Sequence, residues 1–207
     1  MEPVPVLEQA RSEDLGEVIA LYEAVHDKLE SGVNWPRWRR GIYPAPRDAR
    51  AGLDAGTLYV LREQPARTGG RAVTDGPSRR PLPIAATMIL NHDQPAAYAD
   101  IVWVAKTPPE RVAAVHTFMV HPAYGRGGYG AMALRAAHAL ARSRGCLCMR
   151  LDTYEGNIPA QSLYEKAGYR NAGRIDLKLT DYGLDEFWVI VYEFALFVVG
   201  GDICGKP

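Results

Sequence analysis

The 207-residue chain has few cysteines, no excess of either charge and no long apolar run, and each shortage excludes something. There are three cysteines, an odd number, and they do not form a disulfide framework; Cys146 and Cys148 stand one residue apart and the third lies in a Gly-rich tail. A reducing compartment suits such a chain. The Cys146–Cys148 pair has no second Cys/His pair at a useful spacing, so no metal site is expected. Lys plus Arg and Asp plus Glu both total 24, which leaves no long-range positive field for a phosphate backbone; nucleic acid is not an expected partner. No stretch approaches the roughly 20 apolar residues that cross a bilayer, and Met1 to Leu7 has neither the basic start nor the apolar run of a signal peptide. No membrane association is expected, and a cytoplasmic location is. A homodimer is compatible with all of this.

Hydrophobic residues make up 47% of the chain and charged residues 23%, enough for one sizeable core. The reading is one domain over residues 1–199, with a flexible insertion at 65–83 and a disordered tail at 200–207. Residues 65–83 are rich in Gly, Pro and Arg and lack apolar periodicity.

Ahead of the insertion, a short strand is expected at Val4–Gln9. A helix follows, with Ser12 as N-cap and Leu15, Val18, Ile19, Tyr22 and Val25 recurring at helical spacing. Residues 34–46 form an aromatic, proline-containing loop leading to a short helix that Gly56 ends, and Leu58–Arg62 reads as a strand. After the insertion, strands are expected at Ile84–Leu90, around Ala99–Val104 and at Ala113–Val120. A helix opens in the glycines before Ala131 and runs toward Gly145, a strand covers Cys146–Asp152, and a helix covers Ile158–Ala167, ended by Gly168. Strands at Arg174–Leu179 and Phe187–Phe197 complete the pattern. The class is α+β, with a mixed, mostly antiparallel sheet of about six or seven strands flanked by about four helices.

Chemistry concentrates in VHPAYGRGGYGAMAL, Val120 to Leu134, where a strand, a turn, a glycine-rich loop and a helix start follow one another. Glycines let main-chain N–H groups approach an anion, and a helix N-terminus adds unsatisfied donors and a favourable dipole. A nucleoside triphosphate would need Lys and Ser or Thr after the last glycine, where Ala131 and Met132 stand. A dinucleotide is the second candidate: Gly125, Gly127 and Gly130 fit G-x-G-x-x-G, with Asp152 beyond, but four residues separate the strand from the first glycine. Coenzyme A is the third.

The segment resembles the GNAT N-acetyltransferases. Their fourth strand ends in a pattern like V-x-P-x-Y, followed by a basic or glutamine residue, two variable residues, Gly, one variable residue and Gly or Ala. Gly128 and Gly130 match the last two positions, while Gly125 stands where Arg or Gln is usual and Arg126 is displaced by one. Further along, LDTYEGNIPAQSLYEKAGY resembles the second signature of the same family through Asn157, Ala160, Leu163, Tyr164, Gly168 and Tyr169.

The resemblance implies a sheet splayed between its fourth and fifth strands and acetyl-coenzyme A as co-substrate. It implies that the main chain at Phe118, Met119 and Val120 pairs with the pantetheine arm. Gly125, Arg126, Gly127, Gly128, Tyr129, Gly130 and Ala131 would hold the pyrophosphate, and Tyr164 would protonate the departing thiolate. Asn157 either bonds the pantetheine or caps its helix. The acceptor would be a primary amine of a small molecule or peptide. For the base, His116 is one candidate, imidazole being the side chain that titrates near neutral pH; Asp152 and Glu155 could instead orient a cationic acceptor or act as base, and ordered water is a further alternative. Trp35, Trp38, Tyr43, Tyr98 and Trp103 would wall the acceptor pocket or simply cover the sheet. Two other functions stay open at this level: a silent acyl-coenzyme A-binding module, and a dinucleotide-dependent oxidoreductase.

Overall fold

A computed structural model describes residues 5–64, 82–179 and 186–197. Most of the insertion and the whole of the tail expected from the sequence lie outside these residues. Among these residues seven strands form one mixed sheet in the order β1-β2-β3-β4-β5-β7-β6: β1 (Glu8–Gln9), β2 (Leu58–Arg62), β3 (Ile84–Asn91), β4 (Val112–Val120), β5 (Cys148–Tyr154), β6 (Arg170–Asp176) and β7 (Trp188–Ala195). Four α-helices of the described residues accompany them: α1 (Leu15–Glu30), α2 (Pro46–Asp54), α3 (Tyr129–Ser143) and α4 (Ile158–Lys166). Among the described residues no helix is long and apolar enough to cross a membrane.

The chain divides into two compact units. The first comprises Met1–Asn34, Trp38–Ile89 and Thr117–Ala136. In it β2 pairs antiparallel with both β1 and β3, and the N–H of His121, just past β4, donates to Ala85 O at 2.9 Å. Its core gathers Val18, Leu21 and Tyr22 of α1, Ala49 of α2, Leu58 and Val60 of β2, Ile84 of β3 and Met119 of β4. The α1 residues recur at i, i+3 and i+4, which puts them on one stripe.

The second unit comprises Trp35–Arg37, Leu90–His116 and Ala137–Pro207. Here β5 pairs antiparallel with β7, and β7 with β6. The parallel pairing of β4 with β5 has only three registered positions, Val112↔Cys148, Ala113↔Met149 and Ala114↔Arg150. Both strands continue beyond it, β4 to Val120 and β5 to Tyr154. That early end of the ladder matches the expected splay. Tyr98, Ile175, Phe187, Val189 and Val191 form the core on one side. At the end of α4, Gly168 takes φ 91°, and a Cβ there would meet the Phe194 ring at 3.2 Å, so glycine is required on two counts.

Three local expectations are corrected. Ser12 does not cap α1: it opens a 3-10 turn, Ser12–Asp14. The Asp14 carboxylate accepts the Arg11 N–H at 2.9 Å and an Arg62 Nη2 bond at 2.6 Å, an arrangement a serine hydroxyl could not provide. Val4 lies outside the described residues, and among the described residues of the expected first strand Glu8 and Gln9 alone find partners on β2. The strand expected around Ala99–Val104 is absent. A 3-10 turn occupies Ala96–Asp100, and Trp103 folds back to donate its indole N–H to Tyr98 O at 3.1 Å. Val102 is 90% exposed there: its β propensity has no neighbouring strand to act on.

Candidate active site

The first unit carries the glycine-rich segment. His121 caps a 3-10 turn, Pro122–Tyr124, its Nδ1 accepting the Ala123 N–H at 3.1 Å. The Tyr124 hydroxyl donates to Glu63 Oε2 at 3.1 Å, the Tyr129 hydroxyl accepts the Gln64 N–H at 3.1 Å, and the two rings lie 5.0 Å apart. The loop is thus anchored to the residues just after β2. Arg126 and Gly128 have φ of 66° and 77°, and the main chain then turns directly into α3, whose first internal bond is Met132 N–H to Gly128 O at 3.0 Å. The N–H groups that precede Met132 in this first turn have no carbonyl within the helix to bond. Gly125 through Gly128 are exposed, and a Cβ on Gly128 would meet nothing within 4 Å; the Gly125 and Gly127 N–H groups donate to Pro122 O and Tyr124 O, so an anion would be met by the main chain at Gly128 and the first turn of α3. These residues fit a diphosphate.

Upstream, Phe118, Met119 and Val120 close β4, Met119 facing the core and its two neighbours partly buried. Thr117 just before them has φ 50°, an outlier for a β-branched residue, and its hydroxyl shares a 2.8 Å hydrogen bond with the Tyr43 hydroxyl. Sequence reasoning missed Thr117; no local pattern marks a backbone twist inside an otherwise regular apolar strand. Trp38 packs edge-on to Tyr43 at 6.2 Å and is partly buried against the core, so this aromatic pair is partly structural.

Ionisable candidates gather in the second unit. Tyr98 is buried and donates its hydroxyl proton to Asp152 Oδ2 at 2.7 Å. Asp152 is partly buried and forms no ion pair with Lys or Arg among the described residues; burial raises its carboxyl above the usual range, opposed by the Tyr98 bond and by the nearby His116. Burial also raises the Tyr164 phenol, and the Asp152 charge and Tyr192 add to it, so the phenol is protonated at neutral pH. Tyr164 lies on α4, 6% exposed, its ring 5.9 Å from that of Tyr169 and 5.6 Å from that of Tyr192. His116 Nε2 lies 3.1 Å from Asn91 Oδ1 and 2.9 Å from Asp93 O.

Other expected residues are committed elsewhere. Asn157 caps α4, Oδ1 accepting Ala160 N–H at 3.4 Å while Nδ2 donates to Thr153 Oγ1 at 2.9 Å. Glu155 is bonded to Arg174 at 2.6 Å, which lowers its carboxyl below the usual range. One face of Trp103 is covered by the Arg150 guanidinium at 3.7 Å. Trp35 is 40% exposed.

Arg150 belongs to a buried network that the sequence did not reveal. It bonds Glu193 on the paired position of β7 at 3.1 Å, Gln94 Oε1 at 2.8 Å and Ala105 O at 3.2 Å, while Glu193 accepts the Ala105 N–H at 3.0 Å. Gln94 and Ala105 stand near the two ends of the segment that carries Tyr98. An Arg at an otherwise apolar position of a strand was the one available signal. Among the described residues no three His, Cys, Asp or Glu side chains are grouped to hold a metal ion.

The fold and the loop together define an acyl-coenzyme A-dependent acetyltransferase. The acetyltransferase (GNAT) family model matches residues 56–169, more than half of the chain, and the chain belongs to that family. No curated protein matches the sequence. Among solved structures, a GNAT-family acetyltransferase of Streptococcus agalactiae is similar at TM-score 0.66 and 17% identity, over 91% of this chain and 94% of that one. The ribosomal-protein-S18-alanine N-acetyltransferase of Escherichia coli is similar at 0.57 and 16%, over 96% and 97%. The yncA protein of Salmonella typhimurium, solved with its cofactor acetyl-CoA, is similar at 0.58 and 13%, over 98% and 100%. Acetyl-coenzyme A is the family's co-substrate, and this excludes the dinucleotide reading of the glycine loop.

Proposed function

We propose that the protein is an N-acetyltransferase that moves the acetyl group of acetyl-coenzyme A to a primary amine of a small molecule or peptide by direct attack on the thioester. The observation that carries the reading is Asp152: a partly buried carboxylate whose hydrogen-bond partner among the described residues is the neutral Tyr98 hydroxyl, whereas Glu193 and Glu155 of the same unit are paired with arginines. A desolvated carboxylate without a counter-charge is costly, and an alkylammonium ion supplies the missing charge.

In this reading Gly125–Ala131 hold the diphosphate, and the β4 main chain at Phe118–Val120 takes the pantetheine arm. Asp152 orients the acceptor as its ammonium ion, solvent takes one proton to leave the neutral amine, and His116 removes the second as the bond to carbon forms. The amine nitrogen bonds to the acetyl carbon as the carbon–sulfur bond breaks; the amine proton passes to the imidazole, and the thiolate takes the Tyr164 phenol proton, which solvent restores. Burial disfavours phenolate, and a thiolate forming in the same dry surroundings is disfavoured likewise, so the proton has reason to move.

The test is release of free thiol from acetyl-coenzyme A across a panel of diamines, arylalkylamines, amino acids and peptides. Amines without a neighbouring carboxylate should be the better acceptors. Tyr164→Phe should lower kcat about 10²-fold at unchanged affinity for acetyl-coenzyme A. Tight binding of acetyl-coenzyme A with no thiol release for any amine would mean a silent acyl-coenzyme A-binding module instead.

A further inference from the structure

Strand β3 ends on Asn91, and residues 91–93 close a polar turn. Asn91 Oδ1 accepts the Asp93 main-chain N–H at 3.0 Å, and Asn91 Nδ2 donates to Asp93 Oδ2 at 2.8 Å. Those two bonds leave one orientation for the amide, because reversing it would oppose donor to donor and oxygen to carboxylate. The oxygen so placed is 3.1 Å from His116 Nε2, and the Asp93 carbonyl is 2.9 Å from the same nitrogen. Both of these atoms only accept. Nε2 therefore carries the hydrogen, and the lone pair of the neutral ring is on Nδ1.

We propose that Asn91 is a positioning residue for acetyl transfer: with Asp93 it holds His116 as the Nε2–H tautomer in a fixed ring orientation, so that Nδ1 is the atom that receives the acceptor's proton. The inference rests on His116 being the base. When Nδ1 takes the proton, the Nε2–H bond to the Asn91 oxygen becomes charge-assisted, and the Asp93 carboxylate, held by the other end of the same amide, lies behind it. The arrangement has the logic of a base oriented by a third group.

The tautomer is read directly, without turnover, from the imidazole ¹⁵N shifts of the wild-type protein in alkaline buffer, where the rings are neutral. A pyrrole-like Nε2 and a pyridine-like Nδ1 are expected; the reverse pattern overturns the proposal. Asn91→Leu removes one acceptor and releases the turn that carries the other. It should give a mixed ring signal and lower kcat by about 10- to 100-fold, less than the roughly 10²- to 10⁴-fold that a general base contributes because the ring is loosened and not removed, at unchanged KM for acetyl-coenzyme A. Asn91→Asp combined with Asp93→Asn keeps an acceptor toward the ring and a donor behind it, and should return kcat to within a few fold of wild type. A changed tautomer with unchanged kcat, or a loss of kcat that the paired exchange does not relieve, refutes the positioning role. A wild-type protein inactive toward every amine refutes the acetyltransfer reading, and the proposal with it, whereas the wild-type spectrum judges the tautomer on its own.

Discussion

Removing the Arg150 guanidinium is the sharpest test of how the segment that carries Tyr98 is held. The side chains of Arg150 and Glu193 are 6% and 5% exposed, so Arg150→Met leaves a carboxylate buried without a counter-charge. Breaking one partner of such a pair costs about 3–5 kcal/mol. The same substitution removes the bonds to Gln94 and Ala105 O and the stacking on Trp103, contributions that overlap with the first rather than add to it. A loss of about 4 kcal/mol is expected, or a fall in Tm of about 8–16 °C for a protein of this size. Adding Glu193→Leu removes the stranded charge, and the remaining deficit comes from the main-chain groups of Ala105, which then lack partners, at about 1–3 kcal/mol. The double variant should therefore be more stable than the single one. Urea unfolding followed by circular dichroism measures all three proteins, and acceptor KM should rise in the single variant because Tyr98 rides on the released segment. A single variant within 1 kcal/mol of wild type, or a double variant less stable than the single, refutes this account of the network.

Two further outcomes follow from groups outside the network. His138 stacks on Phe194 at 3.9 Å and meets the Tyr169 hydroxyl at 3.0 Å; burial, aided by Arg142, lowers it to about 4. The unfolded chain then binds the extra proton between about pH 6.5 and 4, so stability is full above 6.5 and is lost as pH falls through that window, by about 3 kcal/mol at most. His138→Gln should flatten that part of the urea-measured stability profile; an unchanged acid slope would show that His138 does not set it. Gly128→Ala puts a Cβ at φ 77° beside the unsatisfied N–H groups of α3, where the protein itself offers no clash. Calorimetry should find acetyl-coenzyme A bound about tenfold more weakly, from backbone strain of about 1–2 kcal/mol and obstruction of the main chain; unchanged affinity would place the diphosphate elsewhere.

The elements that local pattern governs were legible in the sequence. The stripe of α1, the apolar run Leu58–Arg62 and the glycines opening α3 depend on neighbours a few residues away, and they stand where expected. The loop and the tyrosine of α4 were legible for the same reason, since each sits in a contiguous signature. The segment around Ala99–Val104 misled because its β-branched residues would form a strand only beside a free ladder, and ladders are made by distant chain. Asn91, Thr117, Arg150 and Glu193 were invisible for a related reason: their partners lie 25, 74, 43 and 43 residues away.

The order of amino acids alone thus determined the class, the co-substrate and the short segments that carry them, because helix periodicity, strand composition and a glycine-rich turn are local properties of the chain. Tertiary structure alone decided which charges are compensated. Among the described residues it pairs Glu193 and Glu155 with arginines, bonds Asp152 to a phenol, and sets the hydrogen on His116, because burial and hydrogen-bond direction exist only once remote strands are brought together.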